Sequence, residues 1–582
     1  MMRDPDIIGI FVAWPYANGD LHLGHIAGAY LPPDIFARYN RLRGNKVLMV
    51  SGSDSHGTPI TVKAHKEGLT PRAVFEHYHR RFLKGWIDLG ISFDLFTHTD
   101  TENHHSVAQD IFEKLYSQND IVIAMETLLY DEKQEMFLPD RYVEGTCPFC
   151  DFGGARGDQC DSCGRTLDAV ELKNPRSILS DTTPILKETQ QFFFDLPAYN
   201  EELLVYVRNQ KHWRLTVSNY VMSWLSDGLV RRPISRDIDW GIPIPVAGWE
   251  KKVMYVWFEA VMGYLTASRE WATNNGVSDA WKEWWHNDKA RGYYFIGKDN
   301  VPFHAIIWPA ILLAYDRGLN LPYDIPANQY LNFKGDQFSK SRGAGILLMD
   351  FLKDYEPDPL RYYLAAVSPE TKDTSFTWEG FVTHNNTELV AAWGNLVNRV
   401  LTFAQSRFEA RIPEPHALES VDIQLLKRIE DGFKKIGKLY GGVKLRDALE
   451  SAMDLVHEAN RYFDFKEPWK KDRTDSATTL FISILAVDSL KVLLAPVLPH
   501  SSQKIHESLG YEQSLFGRLR IESFREKTST HQALTYLPTN PELSCVDRWV
   551  PSSLEPGTPI KKLSPLFKIL EHTVDDAEVE KP

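Results

Sequence analysis

The chain has 582 residues, 43% hydrophobic and 25% charged, which predicts about three or four domains and excludes wholesale disorder. With 65 Lys and Arg against 78 Asp and Glu the net charge is −13, which excludes bulk-charge coating of nucleic acid or anionic membrane but leaves room for a local basic face. Of 5 cysteines, four fall between Cys147 and Cys163, which excludes a disulfide scaffold and points to a metal in a reducing compartment.

No apolar run approaches the ~20 residues of a membrane span, and Met1 to Ile10 lacks a basic–apolar–small signal pattern. A cytoplasmic chain without a membrane partner is the expectation.

Ile7 to Ala13 predicts a buried strand, closed by the loop Pro15 to Asp20. A helical stretch runs from about Leu23 to Leu42, interrupted at Pro32-Pro33, and Lys46 to Ser51 predicts the next strand. This is a βαβ unit, hence a parallel sheet with its crevice at the strands' C-terminal ends. Residues 120–240 change character and carry the cysteines, as an insertion would. Strand-like runs return at Met254 to Phe258 and at Tyr293 to Ile296. From 386 to 505 apolar residues recur at helical spacing, in Leu425 to Leu439 and Leu480 to Leu494, predicting a bundle. A Pro- and Ser-rich tail follows, ending in the acidic stretch Asp575 to Glu580.

Three constellations carry chemistry. His22-Leu23-Gly24-His25 opens a helix after the first strand. A helix N-terminus attracts phosphate, Gly24 admits a planar ring, and two imidazoles can donate to oxygens whose charge grows in a transition state. Phe338 to Gly343 is a polar loop in which Ser339, Lys340, Ser341 and Arg342 suit a leaving pyrophosphate, or form a merely solvated basic loop. Cys147-x2-Cys150-x9-Cys160-x2-Cys163 matches one tetrahedral zinc with four thiolates and no open position, so a structural Zn2+; iron or a redox dithiol is the alternative. Cys545 stands apart.

The two signatures, in this order on a split βαβ sheet followed by helices, resemble the class I aminoacyl-tRNA synthetases, whose motifs are written HIGH and KMSKS. Gln337 stands where the first lysine of the second motif usually does. Longer segments, AWPYANGDLHLGH, SGSDSHGTPI, SRDIDWGIPIP, YVWFEAVMGY and FIGKDNVPFH, resemble the methionyl-tRNA synthetase family over nearly the whole chain. A synthetase for another amino acid, a non-catalytic tRNA-binding paralogue and a small nucleotidylyltransferase are the alternatives.

The resemblance implies an α/β fold: a Rossmann-like catalytic domain in two halves (1–119 and 241–330) split by a zinc-binding insertion (120–240), a linker with the second signature (331–385), an α-helical anticodon-binding bundle (386–505) and a C-terminal tail (506–582). It implies catalytic roles for His22, His25 and Lys340, and a methionine pocket of Ala13, Trp14, Tyr16, Trp257, Ala260, Tyr264 and His304. A thioether packs well on aromatic rings, and a carboxylate such as Asp54 can take the substrate ammonium. Arg236 can pair with the substrate carboxylate or hold Asp54. Gly24, Gly297, Lys298, Asp299, Ser339 and Ser341 would meet ATP, which arrives with Mg2+.

In the bundle, the family pattern puts a base-stacking tryptophan at Trp469, with Asn398 and Arg399 beside it; Trp393 and Asn398 also read as packing residues. Expected partners are tRNA(Met), initiator included, L-methionine and ATP, acting on a monomer. The expected basic face comprises Lys340, Arg342, Arg399, Arg461, Lys470 and Lys471.

Overall fold

In the computed structural model six consecutive buried residues, Ile7–Val12 (β1), form an interior strand of a seven-stranded sheet. Burial on both faces explains why the run does not alternate. Ile8, Ile10 and Val12 enter one core, Ile7 and Phe11 the other. Lys46–Ser53 (β2) and Leu95–His98 (β3) follow on one side, Ala290–Gly297 (β4) and Ala327–Asn328 (β5) on the other, all in parallel. The chain leaves β1 toward β2 and returns after the insertion to β4, so the strand order reverses at β1. That is where a doubly wound sheet opens its ligand crevice. The structure describes residues 4–571 apart from 158, 159, 161, 164, 166, 334, 335, 338–344 and 540–544.

Three local expectations change. The stretch from Leu23 is a short helix Leu23–His25, a π-turn Ile26–Tyr30 and a helix Leu31–Leu42. Pro32 and Pro33 fall in the first turn of the last piece, just past the π-turn, and do not break the helical run. Met254 to Phe258 is not a strand of the sheet. Val253–Met254 pairs briefly with Ser235–Arg236, and Val256–Ala260 is helical. An apolar run of that length fits a buried helix as well as a strand.

The third change lies in the expected tail. Arg518–Arg525 (β6) and Thr530–Leu537 (β7) form a hairpin, and β7 pairs antiparallel with β3. The edge that β3 would leave open is thereby covered. The acidic end, from residue 572 on, lies outside the described residues.

The insertion is built on the antiparallel pair Ile121–Asp131 and Ile185–Phe194, with the cysteine knuckle at its tip. Three long helices, Ser420–Gly441, Leu445–Lys466 and Arg473–Leu494, make the bundle. The last is long and apolar enough to cross a membrane, but it is the buried centre of the bundle. A buried joint ties the bundle to the helix Leu31–Leu42 beside the sheet. Fully buried Arg361 donates to Asp34 Oδ2 at 2.6 Å and to the Pro496 and Val497 carbonyls at 3.0 and 2.8 Å. Burial opposes the Asp34 charge, but Arg38 and Arg361 outweigh it and hold that carboxyl far below the usual range.

Candidate active site

His22 is the N-cap of Leu23–His25, at the C-terminal end of β1. The two histidines cap each other: the His25 N–H donates to Nδ1 of His22 and the His22 N–H to Nδ1 of His25, each at 3.2 Å. The rings stack with centroids 3.5 Å apart. With both Nδ1 atoms accepting, the ring protons fall on Nε2. Gly24 and His25 are half-buried, His22 buried.

Lys340, Ser339, Ser341 and Arg342 lie outside the described residues, as does the side chain of Gln337. Both flanks of their loop are described. Leu331–Phe333 pairs with Asp336–Gln337 on the near side. On the far side the Leu23 N–H donates to the Ile346 carbonyl at 3.0 Å and the Leu348 N–H to the Leu21 carbonyl at 2.8 Å. At the end of β4, past Gly297, Lys298 pairs with Asp373 at 3.1 Å and lies 4.1 Å over the Tyr330 ring, whose hydroxyl donates to Asp299.

The aromatic residues gather beside this crevice. The Ala13 N–H donates to the Phe295 carbonyl at 3.0 Å. Trp14 is wedged between Gly52 and Gly263, where an added Cβ would come within 2.2 and 2.6 Å of the indole; only glycine fits there. Tyr16 meets Trp257 edge-on at 6.1 Å, and Trp257 stacks on Phe303 at 4.5 Å. Ala260 is buried. The Tyr264 hydroxyl lies 2.7 Å from Nε2 of His304, whose Nδ1 lies 2.8 Å from the Asn300 carbonyl. Burial pushes the His304 pKa down to about 4, so the ring is neutral, with Nδ1–H donating and Nε2 accepting.

Tyr16, Trp257, Arg236, Arg141, His56 and Trp240 line a cleft of about 100 Å³. Asp54 is buried, bonded at 3.1 Å by the His56 N–H. Burial first, and the Glu259 charge second, push its pKa well up, so its charge is disfavoured unless a cation stands beside it. Arg236 forms no ion pair with Asp54 among the described residues. It donates to the Ser235 carbonyl at 2.9 Å and lies over Tyr255 at 4.0 Å. Sequence reading missed Phe303, Arg141, Glu259, His56 and His104. Arg141 comes from the insertion, and Glu259 sits inside an aromatic run.

At the far end of the bundle Trp469 is 40% exposed and Phe465 is 73% exposed, an unusual state for large rings. Asn398 is exposed, and Arg399 lies 5.2 Å over the Trp469 ring while pairing with Asp464 at 2.6 Å. Arg461, Lys470 and Lys471 surround this patch in the sequence, and Lys470 pairs with Glu467 at 2.7 Å. Trp393 is fully buried in the core and presents no face to a base.

The four clustered cysteines converge. Sγ of Cys147 and Cys163 are 3.9 Å apart, those of Cys150 and Cys160 are 3.6 Å apart, and all four lie within 4.8 Å of one another. A tetrahedron of ~2.3 Å Zn–S bonds has edges of about 3.8 Å, so the donor set fits zinc.

Comparison with known proteins agrees over the full length. A family model described as tRNA synthetases class I (M) matches residues 8–401, and one for the anticodon-binding domain of tRNA ligase matches 422–537. A methionine–tRNA ligase of Thermomicrobium roseum is 57% identical over 577 residues, 99% of this chain and 98% of the relative. One of Chloroflexus aurantiacus is 45% identical over 99% and 98%. Mycobacterium tuberculosis methionyl-tRNA synthetase in complex with methionyl-adenylate superposes with a TM-score of 0.75 at 26% identity, covering 97% of this chain and 100% of that one.

Proposed function

The chain belongs to the class I methionyl-tRNA synthetase family, and from that premise we propose how its own residues divide the work of a methionine–tRNA ligase. The reaction has two steps. The methionine carboxylate attacks the α-phosphorus of ATP, releasing pyrophosphate and giving methionyl-adenylate. The terminal ribose hydroxyl of tRNA then attacks the adenylate carbonyl, releasing AMP.

Positioning and charge stabilisation dominate the first step. His22 and His25, donating from Nε2, contact the ATP phosphates, and the helix N-terminus beneath them adds partial positive charge. Lys340, with Ser339 and Ser341, closes over the departing pyrophosphate. Gly24 receives the adenine, and Gly297, Lys298 and Asp299 hold the ribose and phosphates; Mg2+ arrives with ATP. Ala13, Trp14, Tyr16, Trp257, Ala260, Tyr264 and His304 enclose the thioether side chain. Asp54 takes the ammonium and Arg236 the carboxylate. Trp469 stacks an anticodon base, with Asn398 and Arg399 reading beside it.

We take residues 1–119 and 241–330 as the catalytic halves, 120–240 as the insertion, 331–385 as the linker and 386–505 as the anticodon bundle. One structural zinc on Cys147, Cys150, Cys160 and Cys163 would hold the knuckle. A cytoplasmic monomer that charges initiator and elongator tRNA(Met) completes the reading, checked by fractionation, light scattering and charging of each tRNA.

The observation that carries the catalytic assignment is the mutual capping of His22 and His25 at the sheet's crevice, stitched through Leu23 to Ile346. The test is methionine-dependent ATP–pyrophosphate exchange. His22→Ala and Lys340→Ala should each lose about 10²-fold or more in kcat, and His22→Ala, which also removes a helix cap, should cost about 1 kcal/mol of stability. Normal exchange in Lys340→Ala sinks that residue's role.

A further inference from the structure

Behind His56, which lines the cleft, lies a group of buried charges that the two-step scheme leaves without work. The Glu259 side chain has no exposed surface. Nδ1 of His56 lies 2.9 Å from its Oε1, and Nε2 of His104 lies 2.7 Å from its Oε2. One carboxylate thus ties the loop after β2 to the helix Glu102–Ser117.

His56 faces a second carboxylate, with Nε2 3.7 Å from Asp100 Oδ1. Asp100 is itself held by Arg72 at 2.7 Å and lies 3.5 Å from His105. Burial works against a charge on His56, but Glu259 and Asp100 outweigh it and hold its pKa up, to about 10. Burial likewise opposes the Glu259 charge, and His56 and His104 outweigh it, holding that carboxyl down to about 2. Both shifts run in the direction that favours a buried imidazolium–carboxylate pair.

The link to the substrate is one peptide unit. The backbone N–H of His56 donates to Asp54 Oδ1 at 3.1 Å. The Asp54 backbone is fixed from the other side, its N–H on the Pro15 carbonyl at 2.8 Å and its carbonyl accepting from the Ala17 N–H at 3.1 Å. With the backbone clamped by the loop after β1 and residue 56 clamped by Glu259, the Asp54 carboxylate keeps one orientation.

We propose that Glu259 is a positioning residue for methionine activation: through the ring of His56 it orients the Asp54 carboxylate and so sets where the substrate ammonium sits. This rests on Asp54 being the ammonium acceptor. A merely structural Glu259, gluing the helix Val256–Ala260 to the sheet, would disturb every part of the pocket alike.

The full-length protein is assayed by pyrophosphate exchange, giving KM for L-methionine and for ATP and the inhibition constant of 4-(methylthio)butanoate, which keeps the thioether and carboxylate but lacks the amine. In Glu259→Gln the KM for methionine should rise about tenfold or more, while the KM for ATP and the inhibition constant stay within about twofold; Glu259→Asp should recover part of the loss. Asp54→Asn should abolish the preference for methionine over the amine-free analogue. Equal weakening of both ligands in Glu259→Gln overturns the proposal and leaves the Asp54 reading standing. A full preference in Asp54→Asn overturns the ammonium reading, and the proposal with it. If Glu259→Gln does not fold, Glu259→Asp and His56→Gln carry the same comparison, with the same outcomes deciding.

Discussion

The Leu23 N–H donates to the Ile346 carbonyl at 3.0 Å, and the reciprocal Leu348 N–H to Leu21 carbonyl bond is 2.8 Å. Two segments over 300 positions apart therefore meet as a two-bond ladder, with His22 and Leu347 directly opposed. These two bonds tie the helix that carries His22 and His25 to the exit of the second signature loop.

That ladder can be cut at one atom. Leu348 is the first residue of the helix Leu348–Asp354, where proline is tolerated. Leu348→Pro should remove the donor to Leu21, lower exchange activity about tenfold or more, and raise the KM for ATP. Because Leu348 is buried, Leu348→Ala is the packing control; equal activity in the two variants removes any role for the bond.

Tyr264 and His304 make a neutral hydrogen-bonded pair at 2.7 Å. Tyr264→Phe should raise the KM for methionine by about five- to tenfold, the loss of one buried bond of ~1–1.5 kcal/mol. With the His304 pKa near 4, that effect should be flat from pH 6 to 8 in steady-state kinetics.

The hairpin should loosen with alkali. Nε2 of His531 on β7 lies 3.0 Å from Glu270 and its Nδ1 3.7 Å from Glu526. Burial opposes the charge, but the two carboxylates outweigh it and raise the pKa from 6.5 to about 9. A raised folded-state pKa stabilises fully below pH 6.5 and is lost as pH climbs through 9. The contribution is at most about 3–4 kcal/mol. Hydrogen-exchange protection factors of Thr530–Leu537, which are free of the intrinsic base-catalysed rise, should fall across that window in the wild type and lack this pH dependence in His531→Ala.

Zinc removal should act locally. Elemental analysis should find one zinc per chain, and Cys150→Ser or a chelator should abolish it. The knuckle strands Val143–Thr146 and Lys173–Ser177 should then become protease-sensitive, while methionine binding persists.

Trp469→Ala should raise the KM for tRNA in aminoacylation by 1–3 kcal/mol of stacking, roughly tenfold or more, and leave pyrophosphate exchange unchanged. A parallel fall in exchange would show that the change reaches the catalytic domain.

Local patterns carried much of this. Ile7–Val12 announces a strand covered on both faces because every residue is apolar or glycine, and the two Cys-x2-Cys pairs announce a metal because thiolate spacing is a property of a short segment. His22 and His25 were legible for the same reason, since the cap that orders them spans four residues.

What the amino-acid order could not decide depends on partners far along the chain. The apolar run around Glu259 reads equally as strand or helix until its neighbours are known. The hairpin Arg518–Leu537 looks like tail until β3 offers an open edge more than 400 positions earlier. Trp393 and Trp469 are alike in composition, yet the core takes one and leaves the other exposed. The sequence by itself determined the family, its reaction and a four-cysteine cluster able to hold a metal, because each signature is written within a short segment. Only the tertiary structure decided which charges are buried together and which carboxylate holds which histidine, because hydrogen bonding and desolvation act across space between residues the sequence keeps apart.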